Sequence, residues 1–468
     1  MSRLDAILRT IDAQLEDSLQ RLFALLRIPS ISADPAHRED CRKAARYMAD
    51  MLAEMGLDAS VRDTPGHPMV IAHLDADEAD APRVLFYGHY DVQPADPLEE
   101  WKTPPFEPAL VTGEDGRQRI FARGACDDKG QLMTFIEALR AHLAHGRRPL
   151  NLTILLEGEE ESGSPSLEPF LRAHAEELRA DLALVCDTGQ WDADTPAITT
   201  RLRGMMHDEA IITGPRADLH SGLYGGPAHN PNHIVARLIA GLWDETGRVT
   251  LEGFYDGVAE LPAETRRAWE ALGMTDERLL AEIGLKPPAA GEEGYSALEK
   301  IWARPTIEVN GMGGGYTGPG TKTVIPSRAF FKISCRLVDD QDPYAIREAF
   351  RAYVRANLPR GVSVRFSEDG GASPAVRVEE DSAAVRAAAK CLEEEWGKAP
   401  VMMGCGGSIP VVRAFKDILG MDSLLVAFGL ADDAIHSPNE KYDLQSFHKG
   451  TRSWARIIAA LALMGGAK

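Results

Sequence analysis

The chain has 468 residues, 44% hydrophobic and 26% charged, so it is long enough for two domains or three, each with its own core. Its formal net charge of −20 argues against a nucleic-acid backbone or an anionic membrane surface as a partner. No apolar run approaches the length of a membrane span, and the N-terminal residues predict an amphipathic helix rather than a signal peptide.

The six cysteines are scattered along the chain and form no CxxC pair. This spacing favours reduced thiols over a disulfide framework or a zinc finger, so we expect a cytoplasmic protein. The negative charge would also suit a site that holds cations, although such a charge more often serves solubility.

Residues 1 to about 205 alternate between helix-like and strand-like segments. Amphipathic stretches at 41–56 and 127–146 predict helices, while VLFYGHYDV, NLTILLEG and LALVCD read as buried strands. Continuous apolar strands separated by amphipathic helices predict an α/β domain with a mostly parallel central sheet. Ligand sites in such sheets lie in loops at the carboxyl ends of the strands.

Near residue 204 the pattern changes. A strand at 205–213, a helix, a charged and mostly helical excursion to about 303, and then strand, helix and strand predict a small α+β domain with one exposed sheet face. From about 377 the α/β pattern returns. We therefore predict one α/β domain in two pieces, 1–205 and 377–468, split by an inserted domain at 206–376.

Five short segments combine the end of an apolar strand with groups that can bind a metal. They are GHYDV with His89 and Asp91, RGACDDKG with Asp127 and Asp128, EGEEESGS, VCDTG with Asp187, and AIHSPNEK with His436. Taken singly, a histidine is usually a packed or surface residue, an Asp before Thr-Gly forms a turn, and an acidic run is a solvated loop. Several together, at strand ends of one sheet, favour a shared site.

Two histidines and several carboxylates suit Zn²⁺, Mn²⁺ or Co²⁺, of which we expect Zn²⁺. Three ligating carboxylates and one hydroxide carry the negative charge that neutralises two divalent cations. The sequence therefore predicts two metal ions per subunit that activate a bridging water.

The motifs GHYDVQP, RGACDDKG, LEGEEESGS, DLHSGLYGG, GGSIP and HSPNEK resemble those of the co-catalytic dinuclear metallopeptidases of aminoacylase, carboxypeptidase G and succinyl-diaminopimelate desuccinylase type. The resemblance runs from about residue 20 to 460. The insertion beginning GFYDGV and the run GPGTKTVIP are most similar to the cytosolic non-specific dipeptidase and carnosinase branch. The resemblance implies a zinc-peptidase-like split catalytic domain with an inserted α+β lid and dimerisation domain.

The resemblance also implies the metal ligands and their orientation. The ligands that it implies are His89, Asp127, Glu161, Asp187 and His436. Asp127 would bridge the two ions and precede a cis peptide bond, whereas Asp128 matches a variable position. Asp91 would orient His89. Aspartate rather than glutamate at Asp187 favours the dipeptidases over the carboxypeptidase and deacylase branches.

The acidic run divides in the same way. Glu160 matches the residue that moves a proton from water to the leaving amine, and Glu161 matches a metal ligand. Adjacent side chains in an extended chain diverge, which allows the two roles. Glu157 and Glu159 match no such role and are expected to be structural or to face solvent.

Five further residues are candidates for holding the substrate. His220, by itself a turn residue, matches a histidine that reaches the partner subunit's active site and stabilises the oxyanion, which implies a homodimer. Arg336, otherwise a charge on a solvated strand face, matches a ligand of the substrate carboxylate. Gly407 and Ser408, in a glycine-rich helix start, could share that carboxylate. Thr323 could add a hydroxyl.

The sequence therefore predicts hydrolysis of dipeptides, or of short peptides with a free C-terminal carboxylate, by a two-metal-bridged hydroxide with Glu160 as general base. The first alternative is an N-acyl-amino-acid amidohydrolase that uses the same site. The second is a non-catalytic metal-binding or scaffold protein. The third is a hydrolase that depends on Cys126, for which the sequence offers no dedicated histidine partner.

Overall fold

The computed structural model describes residues 2–78, 80–368 and 371–465. Its helices are α1 Arg3–Ala13, α2 Leu15–Leu26, α3 Arg38–Glu54, α4 Lys129–Ala144, α5 Leu167–Ala173, α6 Ala175–Leu178, α7 Ser221–Tyr224, α8 Pro231–Ala240, α9 Ala263–Glu270, α10 Asp276–Glu282, α11 Ala297–Trp302, α12 Pro343–Ala356, α13 Ala383–Trp396, α14 Pro410–Ala414 and α15 Leu444–Leu461. No helix in these ranges has the length and apolar character needed to cross a membrane.

The strands alternate with these helices along most of the chain. They are β1 Asp58–Arg62, β2 Met69–Leu74, β3 Arg83–His89, β4 Ala109–Thr112, β5 Gln118–Phe121, β6 Asn151–Glu157, β7 Leu182–Val185, β8 Ala197–Leu202, β9 Gly204–Thr213, β10 Leu219–His220, β11 Thr306–Gly314, β12 Val324–Ile325, β13 Arg328–Leu337, β14 Ser363–Phe366, β15 Ala372–Ser373, β16 Val376–Arg377, β17 Val401–Cys405, β18 Ser423–Leu425 and β19 Lys441–Asp443. The single helix predicted at the N-terminus is two helices, α1 and α2, which meet at Gln14.

The chain forms two compact units. Unit 1 consists of Met1–Thr200, Val378–Met403 and Ala414–Lys468, and unit 2 consists of Arg201–Arg377 and Gly404–Arg413. The segment Gly404–Arg413, which carries Gly407 and Ser408, thus groups with unit 2, whereas the sequence placed it in the second piece of the split domain. The assignment of 1–205, 206–376 and 377–468 to functional domains stays a prediction.

Unit 1 is built on the larger sheet, in which β1, β2, β6, β3, β7, β18 and the first residues of β8 follow one another. The four central strands β6, β3, β7 and β18 run parallel, and antiparallel strands extend both edges. The predicted α/β class with a mostly parallel central sheet is confirmed. A second sheet contains β19, β5 and β4.

Both faces of β3 are buried. Phe86 stacks on Phe135 of α4 with ring centroids 3.8 Å apart and meets the edge of Trp454 of α15. The next residue, Tyr87, points to the opposite face and contacts Phe415 at 5.7 Å. Burial on two faces requires apolar residues at successive positions, which explains the continuous apolar runs of these strands. Polar side chains can therefore gather only where the strands end.

Unit 2 contains an antiparallel sheet in the order β11, β13, β9, β14, with β15 also paired to β9. Apolar residues of α8 and α12, among them Leu238 and Phe350, share one core with Phe331 and Ile333 of β13. The intervening residue Lys332 is exposed. This alternation matches the predicted α+β domain with one exposed sheet face. Unit 2 also contains a two-stranded ribbon, β10 with β12.

Candidate active site

His89, the last residue of β3, is fully buried in unit 1. Its Nδ1 lies 3.2 Å from the backbone oxygen of Asp91 and 3.4 Å from the Asp91 carboxylate. Its Nε2 lies 3.1 Å from Asp127 Oδ1. Because both acceptors at Nδ1 favour a proton there, the Nε2 lone pair is directed toward Asp127 and is available to a metal ion.

Asp127 lies in the tight loop that leads into α4. A Cβ at Gly130 would lie 1.9 Å from the backbone oxygen of Ala125, so only glycine permits this approach. The peptide bond between Asp127 and Asp128 is cis, as the resemblance implied. Asp127 lies two residues before the first residue of α4.

The two oxygens of Asp127 face two different histidines. Oδ1 lies 3.1 Å from His89 Nε2, and Oδ2 lies 3.1 Å from His436 Nε2. His436 Nε2 is also 3.1 Å from Glu161 Oε2. Asp127 therefore has the geometry of a bridging ligand.

Two groups of side chains could each hold a metal ion. The groups are His89, Asp127 and Asp187, and Asp127, Glu161 and His436. Within each group the ligand atoms all lie within 4.8 Å of one another. Donors about 2 Å from a tetrahedral Zn²⁺ lie somewhat more than 3 Å apart, so the spacing suits such an ion. The structure thus brings together all five predicted ligands.

The charge of this cluster also fits metal ions. Burial raises the pKa of Glu160 to about 9 and that of Asp187 to about 7. Burial would raise the pKa of Asp127 too, but the neighbouring His436 and His89 hold it below its ordinary value. Four neighbouring carboxylates can carry more negative charge than two histidines neutralise. Two divalent cations would neutralise the remainder. Nitrogen and oxygen donors of this kind suit Zn²⁺, Mn²⁺ or Co²⁺.

The structure separates Glu160 from Glu161. The Asp91 carboxylate accepts hydrogen bonds from the backbone N–H groups of Glu160, at 3.3 Å, and of Glu161, at 3.1 Å. Glu161 faces His436 and accepts a 2.8 Å hydrogen bond from Gln93 Nε2. Among the described residues, Glu160 belongs to neither metal group, but its carboxyl group interacts electrostatically with three of the ligands, His89, Asp187 and Glu161.

The other two glutamates of the acidic run are buried and structural. Glu157 accepts a 2.6 Å hydrogen bond from the hydroxyl of Tyr87. Glu159 accepts hydrogen bonds from the backbone N–H groups of His67, at 2.7 Å, and Ser166, at 3.1 Å. Of the two expected roles, structural or solvent-facing, the solvent-facing one is wrong, because both side chains are buried and hydrogen-bonded inside unit 1.

The sequence predicted that all five ligands lie at strand ends of one sheet, and for two of them this is wrong. His89 ends β3, and Glu161 and Asp187 follow β6 and β7. Asp127, by contrast, lies between β5 and α4, and His436 precedes β19. Antiparallel pairing of β19 with β5, which belong to the smaller sheet, brings these two loops side by side.

Two buried acids near the ligands were missed as functional candidates. Asp128 Oδ2 accepts a 3.1 Å hydrogen bond from the backbone N–H of His89. Glu440 accepts a 3.0 Å hydrogen bond from the backbone N–H of Asp127. Both bonds involve backbone N–H groups, which leave no mark in a sequence. The signal that could have found them is that each acid lies in a motif that also contains a predicted metal ligand.

In unit 2, His220 is exposed at the start of α7. Its Nδ1 accepts a 3.0 Å hydrogen bond from the backbone N–H of Gly222, which leaves Nε2 to carry the proton. Thr323 lies beside it, because its backbone oxygen accepts a 3.0 Å hydrogen bond from the Ser221 N–H. An outward N–H at His220 could donate to an oxyanion.

A second cluster of unit 2 joins Arg336, Ser408 and Arg203. Arg336 Nη1 donates to Ser408 Oγ at 3.0 Å, Ser408 Oγ donates to the Arg203 backbone oxygen, and Arg203 Nε donates to the Gly406 oxygen. Burial and the charge of Arg336 lower the pKa of Arg203 to about 10. Neither arginine has an ion-pair partner among the residues that the structure describes, so an anion would relieve their repulsion.

The sequence missed Arg203 as a member of this cluster. The positive charge of the cluster comes from the guanidinium groups of Arg203 and Arg336. Arg203 directly follows β8, where a charged side chain is common, so its place in the sequence does not by itself indicate a functional role.

Cys126 is buried, and burial together with Asp433 and Glu440 raises the pKa of its thiol well above the ordinary value. A protonated thiol is a poor nucleophile, so we expect Cys126→Ala to change kcat by no more than about twofold. Initial rates with and without iodoacetamide would check this. Inactivation that follows alkylation of Cys126 would support the thiol-dependent alternative instead.

The model of peptidase family M20/M25/M40 matches residues 85–460 of the chain. The chain belongs to this peptidase family. It is 31% identical to the Cys-Gly metallodipeptidase of Schizosaccharomyces pombe, over 98% of each chain. The predicted family is confirmed, and with it the assignment of the chain as a metal-dependent hydrolase.

Two solved structures show the same fold over nearly the whole chain. Human carnosine dipeptidase 1 has a TM-score of 0.83 and 28% identity, covering 99% of this chain and 100% of that one. An M20 family metallo-carboxypeptidase from Sulfolobus solfataricus has a TM-score of 0.83 and 31% identity, covering 96% of this chain and 99% of that one.

Proposed function

We propose that the protein is a dinuclear-metal dipeptidase, which hydrolyses the peptide bond of dipeptides or of short peptides with a free C-terminal carboxylate. The observation that carries the proposal is the pair of metal groups sharing Asp127, with Glu160 beside them. Full-length similarity to a Cys-Gly metallodipeptidase and to a carnosine dipeptidase supports the substrate class.

Two bound metal ions would polarise the scissile carbonyl and lower the pKa of water. The five ligands named above would hold the ions, and Glu160 would take a proton from water on its carboxylate and deliver it to the leaving amine nitrogen. Asp91 positions His89 through its backbone oxygen and positions the backbone N–H of Glu160 through its carboxylate. Positive charge nearby lowers the pKa of Glu160, so its base form is favoured when the site is loaded.

The substrate carboxylate is proposed to bind Arg336, with Gly407 and Ser408 beside it and Thr323 adding a hydroxyl. Support for Arg336 comes from its lack of a carboxylate partner in the described structure and its hydrogen bond to Ser408. A guanidinium matches a carboxylate in a bidentate geometry, so one arginine can fix both the charge and the orientation of a dipeptide.

Arg336→Met should lower kcat/KM for Ala-Ala by about 10- to 150-fold, chiefly through KM, because a charged hydrogen bond is worth about 1.5–3 kcal/mol. Steady-state kinetics on Ala-Ala and on its C-terminal amide check this. Arg237→Met, at an exposed position of α8, is the matched control and should behave like wild type. If Arg336→Met loses activity equally on acid and amide, the carboxylate assignment is wrong.

The function is tested with chelator-treated enzyme reconstituted separately with Zn²⁺, Mn²⁺ and Co²⁺. We expect dipeptides to be cleaved with a higher kcat/KM than N-acetyl amino acids, and we expect Zn²⁺ to support the reaction. A preference for N-acetyl amino acids would favour the amidohydrolase alternative. No hydrolysis by any metal-loaded form would favour a non-catalytic protein. Longer peptides in the panel separate dipeptidase from carboxypeptidase activity.

We further propose that unit 2 serves as a lid and dimerisation domain, and that His220 acts across a homodimer. The exposed side chains of Leu223 and Tyr224, which follow His220 on α7, support an interface at this surface. The outward Nε2–H of His220 suits stabilisation of a tetrahedral oxyanion.

Mixing two inactive variants, His220→Ala and Glu160→Gln, should restore activity. In a mixed dimer, the subunit with intact Glu160 receives His220 from its partner, so random assortment yields about a quarter of the wild-type sites. The measurement is turnover after subunit exchange at equal concentrations, with each variant alone as control. No recovery in dimers shown to be mixed would place His220 in its own subunit's site.

A cytoplasmic location is proposed as well. Its support is the set of buried thiols Cys41, Cys126, Cys186, Cys335 and Cys391, which carry no disulfide in the structure. Buried thiols of this kind persist in a reducing compartment.

A further inference from the structure

A buried ion pair, Arg123 with Glu440, lies behind the bridging aspartate in unit 1. Arg123 Nη1 is 2.7 Å from Glu440 Oε2, and both side chains are almost completely inaccessible to solvent. A buried pair of charges is costly unless further hydrogen bonds compensate it. The hydrogen bonds that the two side chains make besides the ion pair indicate its role.

Glu440 uses both of its oxygens to hold the loop that carries Asp127. Oε2 accepts from the backbone N–H of Gly124 at 2.9 Å, in addition to Arg123. Oε1 accepts from the backbone N–H groups of Cys126, at 2.9 Å, and Asp127, at 3.0 Å. With two donors on each oxygen, Glu440 is a support for the loop, and the metal groups do not include it.

Arg123 extends this support to the loop of His436. Besides Glu440, its Nη2 donates to the backbone oxygen of Ser437 at 3.2 Å and of Pro94 at 3.1 Å. Ser437 follows His436 directly. One ion pair therefore ties together the loops that carry the bridging carboxylate and the exposed histidine.

The His436 loop needs such support because of its backbone. Three of its residues other than glycine have positive φ angles: Ala434 at 53°, His436 at 63° and Asn439 at 65°. Residues in this region persist only where surrounding contacts fix them. The contacts of Arg123 and Glu440 are of that kind, since they fall within and at the end of this loop.

We infer that Glu440 is a positioning residue that sets the two oxygens of Asp127 at their bridging geometry, and that through Arg123 it also sets His436. The inference rests on the proposed two-metal function. Without the second carboxylate oxygen, three backbone N–H groups and one guanidinium compete for a single acceptor. The loop then relaxes, and the affinity for metal falls although every ligand is still present.

The test compares Glu440→Gln with a matched variant, Glu137→Gln. Glu137, itself buried in α4, also pairs with an arginine, Arg21, at 2.6 Å, and its partners in the described part of the chain are Ser18, Arg21 and Arg140, which carry no metal ligand. Zn²⁺ affinity is measured on chelator-treated protein against a competing chelator. We expect Glu440→Gln to weaken binding by about 10- to 100-fold, the usual effect of removing a group that orients a metal ligand. Glu137→Gln should bind like wild type.

Two further readouts separate positioning from simple loss of stability. Excess Zn²⁺ should restore kcat of Glu440→Gln toward wild type, and the Co²⁺ absorption spectrum should change in this variant alone. Wild-type affinity in folded Glu440→Gln, or an equal loss in Glu137→Gln, would overturn the inference.

If Glu440→Gln does not fold, Arg123→Lys replaces it. This change leaves the backbone hydrogen bonds of Glu440 in place and removes the contacts to Pro94 and Ser437. We expect weaker binding of one ion, on the His436 side, and unchanged affinity for both ions would overturn the inference. The affinity measurement contains no substrate, so its outcome is separate from that of the dipeptide panel.

Discussion

Glu160→Gln should lower kcat for a dipeptide by about 10²- to 10⁴-fold while both metal ions stay bound, because proton transfer by a positioned side chain contributes that much. The amide cannot take up the proton that the carboxylate accepts from water. Glu160 lies outside both metal groups, so the change leaves the ligands intact. Steady-state turnover and metal content of the same preparation check the two halves of this expectation.

Glu159→Gln is the control for this experiment. Glu159 is the adjacent residue and is buried, but its carboxylate accepts hydrogen bonds from the N–H groups of His67 and Ser166. We expect a loss of stability of about 1–3 kcal/mol from the disturbed hydrogen bonds, with kcat largely retained. Normal turnover by Glu160→Gln with both ions bound would rule out Glu160 as the general base.

Asp127→Asn should remove both metal ions, because Asp127 is the one side chain that the two metal groups have in common. Asparagine offers a single neutral oxygen in place of two charged ones. Since loss of a merely orienting group weakens binding by about 10- to 100-fold, loss of a shared ligand should exceed that range. Metal content after dialysis, measured by elemental analysis, and the accompanying loss of turnover check the expectation.

Variants that remove a ligand from only one metal group provide the comparison for Asp127→Asn. His436→Ala removes a ligand from one group only, and Asp187→Asn removes a ligand from the other. Each should release one ion and keep one. Retention of both ions by Asp127→Asn, or loss of both ions by His436→Ala and Asp187→Asn alike, would contradict a bridging role for Asp127.

The central sheet and part of the site were predictable because their signals are local. The strands ending at His89, Glu157 and Val185 each contain consecutive apolar residues, as burial on both faces of a sheet requires. A ligand-type residue placed directly after such a run, like Asp187, lies at the edge where parallel strands end. The separate roles of Glu160 and Glu161, by contrast, came from the resemblance, since composition does not distinguish neighbouring glutamates.

The remaining parts depend on contacts between distant segments. Asp127 and His436 meet because β19 pairs with β5 across more than 300 positions of sequence, and neither short strand is conspicuous. Glu440 acts on backbone N–H groups, and Arg203 is defined by its closeness to Arg336. The pattern of side-chain types along the sequence does not reveal such partners.

The two histidines differ greatly in their access to solvent. The side chain of His89 is 0% exposed, whereas that of His436 is 53% exposed. Ligand exchange begins with the group that water and small chelators can reach, so the ions should be released in sequence rather than together. Removal by a chelator should be biphasic, with a fast phase from the His436 side and a slow phase from the His89 side. When metal is scarce, we expect the protein to retain one ion and to be inactive until a second ion binds.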